Sequence, residues 1–257
     1  DSMFGFKPST MFNGMIAPLI PFPLKGVLWY QGESNAEYPK DYEKLLSGLI
    51  DHWRALWNIP ELPFLIVQLP NYERKVGSSY FTGIREVQKK VSDSKRNCWI
   101  IPTYDQGDPF DLHPPKKRYI AKRLALTAAG KVDGESVECD FPEIVSWSSR
   151  QDQATLKVTG LQSGVLLKED EKLQGFQIQN STGHYLSADA KWMGDCIELS
   201  HPEVDHIKNA RYAFQSNPDG NVRNISGLPM FPWRSDDDAL DQFEIELEPN
   251  RRVIERT

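Results

Sequence analysis

The period of the apolar pattern changes once along this chain, and that change constrains the fold more than any other feature. Over residues 26–130, short continuous apolar runs alternate with stretches whose apolar residues recur every three or four positions. The first kind suits a buried strand and the second an amphipathic helix. Residues 26–31, GVLWYQ, predict a strand. Over residues 39–57, Tyr42, Leu45, Leu46, Leu49, Ile50, Trp53 and Leu56 keep a helical spacing, with Pro39 in the first turn and Pro60 beyond the end. Residues 64–69 and 98–101 predict two more strands. Residues 80–94 predict a helix with Phe81, Ile84, Val87 and Val91 on one face, and residues 116–129 a third with Ile120, Leu124 and Ala128 inward. Strands alternating with helices imply a parallel sheet flanked by helices, so this part reads as α/β.

After Gly130 the segments shorten and partly alternate. Residues 154–158, 175–179, 196–199 and 210–214 read as strands, separated by turn signals at residues 181–183, 193–195 and 218–220. The expected division is therefore residues 1–130 as an α/β part and residues 131–257 as an antiparallel, β-rich module, with the boundary near residues 131–142.

Composition narrows the function classes. Thirty Lys and Arg face 36 Asp and Glu, a net charge of −6, which argues against a general nucleic-acid binder. No apolar run approaches the roughly 18 residues of a membrane span. The opening DSMFGFKPST lacks a basic stretch followed by an apolar one, as a mature or trimmed chain also would. Cys98, Cys139 and Cys196 are too few and too dispersed for a disulfide framework or a metal site, and read as buried thiols.

In open parallel sheets, reactive groups gather beyond the carboxyl ends of the strands. Two polar clusters fall there. One is Gln31, Gly32, Glu33, Ser34 and Asn35, directly after the first strand. The other runs from Asp105 to Pro114 and holds Asp108, Asp111 and His113. Gly32 permits a sharp turn, and the Gln31 and Asn35 amides can offer donors to an oxyanion. His113 is a proton-transfer candidate, since an unperturbed imidazole has its pKa near neutrality, and Asp111 or Asp108 can hold its second nitrogen. A plainer reading treats the glycine as a turn, the histidine as a helix-start residue, and the two Asp as caps or turn formers. The segment from Gly32 to Ala36 loosely matches a nucleophile elbow around Ser34, but Ala36 stands where the last glycine belongs. The remaining histidines, His52, His184, His201 and His206, show no metal-ligand spacing.

Longer stretches carry a resemblance. Residues 8–19 (PSTMFNGMIAPL), 25–35 (KGVLWYQGESN), 83–88 (GIREVQ) and 111–114 (DLHP), followed by Lys117 and residues 123–125, resemble the sialate O-acetylesterase family of SGNH-type hydrolases. So do residues 175–178, 210–213 and 227–236 (GLPMFPWRSD). The resemblance covers nearly the whole chain in order. It implies an SGNH-hydrolase-like three-layer αβα sheet, incomplete at its N-terminal end, with a C-terminal antiparallel β-rich module. The implied activity is removal of O-acetyl groups from sialic acid or related sugars by Ser-His acyl transfer, with no metal or organic cofactor.

Residue by residue, His113 matches the family's catalytic histidine, and Gln31, Gly32, Glu33, Ser34 and Asn35 match the block lining the oxyanion site. Asp111 stands two residues before His113, whereas many SGNH relatives place their acid three before it. Position 110 is Phe, which leaves Asp111, Asp108 or a backbone carbonyl to orient the imidazole. The family's nucleophilic serine belongs to an upstream G-Q-S-N-M type block, and this sequence begins downstream of it. Asp1-Ser2-Met3 only loosely resembles the tail of a G-D-S motif. The expected partners are thus an O-acetylated sugar and an N-terminal segment or chain of the same esterase, with neither nucleic acid nor membrane. The resemblance further suggests an exported setting: periplasmic, secreted or lysosomal-type. A rival reading makes the β-rich part a noncatalytic carbohydrate-binding module presenting Trp192, Tyr212 and Trp233, or the chain a structural subunit of a divided esterase. Arg211 and Arg234 either reach the site rim to bind an acidic substituent or form salt bridges between the two parts. Asn180 and Asn224 begin formal glycosylation sequons.

Overall fold

A computed structural model describes residues 9–73 and 81–238 of the 257-residue chain. The reading of Asp1-Ser2-Met3 lies outside these residues, as does the start of the helix expected at residue 80. Strand β1 (Val27–Trp29) leads through helix α1 (Pro39–Leu56) to β2 (Phe64–Val67), and β2 leads through α2 (Thr82–Ser94) to β3 (Cys98–Ile101). The three strands form one parallel sheet in the order β1-β2-β3. Both crossovers step the same way, so right-handed connections set α1 and α2 side by side, and the two helices do pack together. Helix α3 (Arg118–Thr127) lies against β2 and β3. Every residue of the central strand β2 is buried, as expected where both faces of a parallel sheet are covered. β1 differs: it is an edge strand, and Leu28 at its middle is 61% exposed. In α1 the core stripe is Tyr42, Leu46 and Ile50. Leu45, expected inward from its spacing, faces outward at 60% exposure.

The second part holds two four-stranded antiparallel sheets. One runs β4 (Glu143–Arg150), β5 (Gln153–Thr159), β9 (Cys196–Ser200), β8 (Asp189–Trp192). The other runs β11 (Trp233–Arg234), β10 (Asn209–Tyr212), β6 (Phe176–Gln179), β7 (Tyr185–Ser187). The expected α/β class with a β-rich C-terminal part therefore holds. The two cores interlock across the parts. Phe141, Leu228 and Phe231 join the core of the parallel sheet, while Tyr104 joins that of the antiparallel sheets. Arg85 of α2 is fully buried and donates to the carbonyl oxygens of Leu69, Pro70, Gln215 and Ser216, so one side chain ties the end of β2 to the β-rich part. Arg234 of β11 makes a bidentate pair with Glu86 of α2, both bonds 2.8 Å. The three cysteines are buried and free, and burial pushes the Cys98 thiol up to about 11. Among the described residues, no helix is long and apolar enough to cross a membrane.

Candidate active site

The chain leaves β1 at Tyr30, and the next carbonyl, that of Gln31, is held twice. The Tyr42 hydroxyl donates to it at 2.9 Å and the Gln88 side-chain amide at 3.1 Å. Burial raises the Tyr42 phenol above its ordinary pKa, against hydrogen bonds from Trp29 and Gln88, so the hydroxyl keeps the proton it donates. At Gly32 the backbone turns with φ +144°, a region that costs a side-chain-bearing residue heavily. A Cβ there would also stand 3.3 Å from both Gln88 Nε2 and the Tyr42 oxygen. A short 3₁₀ turn, Glu33–Asn35, follows, closed by Asn35 N–H donating to the Gly32 carbonyl at 2.9 Å. Gln31 Nε2 donates to Asn35 Oδ1 at 2.9 Å, which orients the Asn35 amide. Asn35 Nδ2 then has no acceptor among the described residues. Ser34 is exposed on this turn, and its hydroxyl makes no hydrogen bond among the described residues.

The loop after β3 is rooted at Asp105. Its carboxylate takes both terminal nitrogens of Arg123, at 2.6 and 2.7 Å, and a nitrogen of Arg223 at 2.6 Å. Burial by itself would raise this carboxyl, but the hydrogen bonds and charge of Arg123, with Arg223 behind them, hold it down at about 2. Gly107 then passes so close to Asn71 that a Cβ would overlap the Asn71 carbonyl, and its N–H donates to Asn71 Oδ1 at 2.6 Å.

Beyond Gly107 the loop comes to the surface. Asp108 Oδ1 accepts the Phe110 N–H and Asp111 Oδ1 accepts the His113 N–H, each at 2.8 Å. Both are local turns in which an Asp caps the backbone two residues on. Asp111 thus reaches the main chain of His113, and the imidazole itself is exposed, with no hydrogen-bond partner among the described residues. Leu112 packs against the sheet core and Pro114 is buried, so the backbone on either side of His113 is anchored while its side chain points to solvent.

One contact joins the two loops. Lys117, four residues after His113, donates to the Tyr30 hydroxyl at 3.1 Å and stands 4.7 Å from the centre of its ring. The second loop is thereby tied to the residue preceding Gln31. Among the described residues, no group of three or more His, Cys, Asp or Glu side chains is arranged to hold a metal ion.

The other candidate residues fall elsewhere. Tyr212 is fully buried, with its hydroxyl against Tyr104 and the Val222 N–H, so it is no sugar platform. Arg211 and Arg234 are both salt-bridged to Asp236. Gln88, Asn71 and the Asp105–Arg123–Arg223 cluster are supports that the apolar pattern did not single out, and Tyr42 stood in that pattern only as a core residue of α1. Gln88 carried a signal, since it closes the GIREVQ stretch and is a polar residue set among the buried positions of α2.

Comparison with known proteins gives the family of this region. The family described as carbohydrate esterase, sialic acid-specific acetylesterase, matches residues 9–128, a span that holds both loops. Human sialate O-acetylesterase is 31% identical over 215 residues, covering 75% of this chain and 40% of its own length. The mouse sialate O-acetylesterase is 37% identical over 147 residues, covering 50% of this chain and 27% of its own. The crystal structure of a carbohydrate acetylesterase from Xanthomonas citri superposes with a TM-score of 0.81 at 33% identity, covering 88% of this chain and 54% of that one. The chain thus spans between about a quarter and about half the length of these relatives. With the motifs in order, the loops at the strand ends and this neighbour in fold, residues 9–128 are recognised as a carbohydrate esterase region of the sialic acid-specific acetylesterase family, and the chain is similar to sialate O-acetylesterases.

Proposed function

We propose that this chain is the downstream part of an esterase that removes O-acetyl groups from sialic acid or related sugars. The observation that carries the reading is the linkage of the two loops through Lys117 and Tyr30, which keeps a fixed amide cluster and an anchored, solvent-facing histidine at one end of one sheet. A serine hydroxyl supplied by an upstream segment attacks the acetyl carbonyl, and His113 takes its proton. The Gly32 N–H and Asn35 Nδ2 donate to the oxyanion of the tetrahedral intermediate. Collapse expels the sugar oxygen, which His113 protonates. Water then attacks the acetyl-serine by the same route and releases acetate. Asp111 fixes the backbone of His113, and the group that orients the imidazole comes from the upstream segment or from Asp108.

The edge position of β1 among the described residues and the exposure of Leu28 support such a segment, because an open sheet edge is where a further strand adds. The test is acetyl-ester hydrolysis by the purified chain, alone and joined to the upstream part. The expected result is no turnover alone and turnover when joined. Turnover by the chain alone that Ser34→Ala abolishes would overturn the reading and make Ser34 the nucleophile.

A further inference from the structure

A cavity of about 1010 Å³ opens between α2 and the β-rich part, and none of Gln31, Gly32, Glu33, Ser34, Asn35, Asp111 or His113 lines it. Gln68, the residue after β2, does line it and is 1% exposed. Its Nε2 donates to the Arg85 carbonyl at 3.1 Å, a bond only the amide nitrogen can make, so the other atom of that amide is the oxygen. That oxygen, Oε1, is the buried side-chain polar atom left without a partner among the described residues. Oε1 is closed to water in this conformation, and a shift of the Gln68 side chain toward the cavity would offer it to an O–H or N–H donor from whatever fills that space.

The lining rings narrow the occupant. Lys89 Nζ stands 5.0 Å over Phe231, and the Arg234 guanidinium 5.3 Å over Phe214, so the faces of those two rings are engaged. Trp233 is half-buried and meets Trp147 edge-on, with ring centres 6.3 Å apart, and no cation stands over it among the described residues. Charge narrows it further. Carboxylates outnumber cations six to four in the lining. All four cations are engaged: Arg85 by backbone carbonyls, Lys89 by Asp93 and Glu143, Lys90 by Glu43, and Arg234 by Glu86 and Asp236. An anionic ligand would find no spare positive charge.

We infer that this cavity is a second, noncatalytic binding site for a neutral oligosaccharide, one ring lying on Trp233 and a hydroxyl donating to Gln68 Oε1. An apolar sugar face suits the indole, hydroxyls suit the surrounding amide and carboxylate acceptors, and the volume accommodates more than one ring. The inference is independent of the acyl-transfer reading, because its readout is binding alone.

The test is titration of the full chain with lactose, and separately with N-acetylneuraminic acid, followed by calorimetry or ligand-observed NMR. Val145→Arg places a bulky side chain at an exposed lining position of β4, and Gln68→Leu removes the acceptor. Lactose is expected to saturate, with affinity falling about tenfold or more in either variant, and to bind several-fold more tightly than the acidic sugar. Absence of saturable lactose binding up to high millimolar concentration, or binding that Val145→Arg leaves unchanged, would overturn the site. Binding of N-acetylneuraminic acid as tight as lactose would overturn the assignment of a neutral ligand. Should Gln68→Leu fail to fold, Val145→Arg, on the surface, decides.

Discussion

The loop after β1 is held from within: Tyr42 and Gln88 grip one carbonyl, Gly32 makes a turn that few other residues tolerate, and the turn closes on itself. The loop after β3 is held at its root by the buried Asp105 cluster, while its outer third, from Asp108 to His113, is fastened mainly by its own carboxylates to its own backbone. The difference matches what the proposed mechanism asks of each. Donors to a developing negative charge are most effective when they need not reorganise, so rigidity serves the first loop. A proton carrier must meet both an attacking hydroxyl and a leaving one, and His113 sits on a fixed backbone with an unconstrained ring.

Three substitutions probe this contrast. The largest effect belongs to His113→Ala in the complete enzyme. Turnover should fall by about 10²–10⁴-fold. The melting temperature should barely move, because the side chain is exposed. Near-normal kcat would remove His113 from the mechanism and leave the second loop without a catalytic part. Next comes Gly32→Ala. The combination of positive φ and close contacts with Gln88 and Tyr42 should cost about 3 kcal/mol in denaturant unfolding. A variant as stable as the parent would show that the first loop is looser than its hydrogen bonds imply.

The smallest effect tests the root of the second loop. The Asp105 carboxyl is depressed to about 2 when folded, below its ordinary value, so its contribution is present above about pH 4 and is lost as pH falls through about 2. That gap corresponds to about 2 kcal/mol. Stability curves of the parent and Asp105→Asn should therefore differ by about this amount near neutrality and converge in acid. Curves that stay parallel down to pH about 2 would mean that Asp105 does not anchor the loop.

The elements built on apolar periodicity were legible to within a residue or two. α1 and β3 fall where their spacing and flanking residues place them, and the two loops follow from the strand ends. What stayed hidden was polar and distant. Arg85, Gln88 and Ser92 are buried on α2, where a reading by apolar stripe treats polar residues as surface. Asp105 looks like a turn residue until Arg223, far along the chain, folds back onto it. Strands β7, β8 and β11 have two to four residues each and bury little, so their pairing comes from the neighbouring strand rather than from any pattern of their own. For His113 the catalytic reading comes from the resemblance to a family, since its surroundings alone fit a helix-start residue equally well.

The Arg85 guanidinium carries a consequence for how this molecule comes apart. It sits in the interior with four main-chain oxygens around it and no carboxylate among the described residues, two oxygens lent by each half. Pulling the halves apart would break two of its four hydrogen bonds and open the surfaces packed around it, so each half helps to hold the other in place. Heat or denaturant should meet one cooperative body, and a nick between α3 and β4 would leave two pieces still clasped around a single side chain.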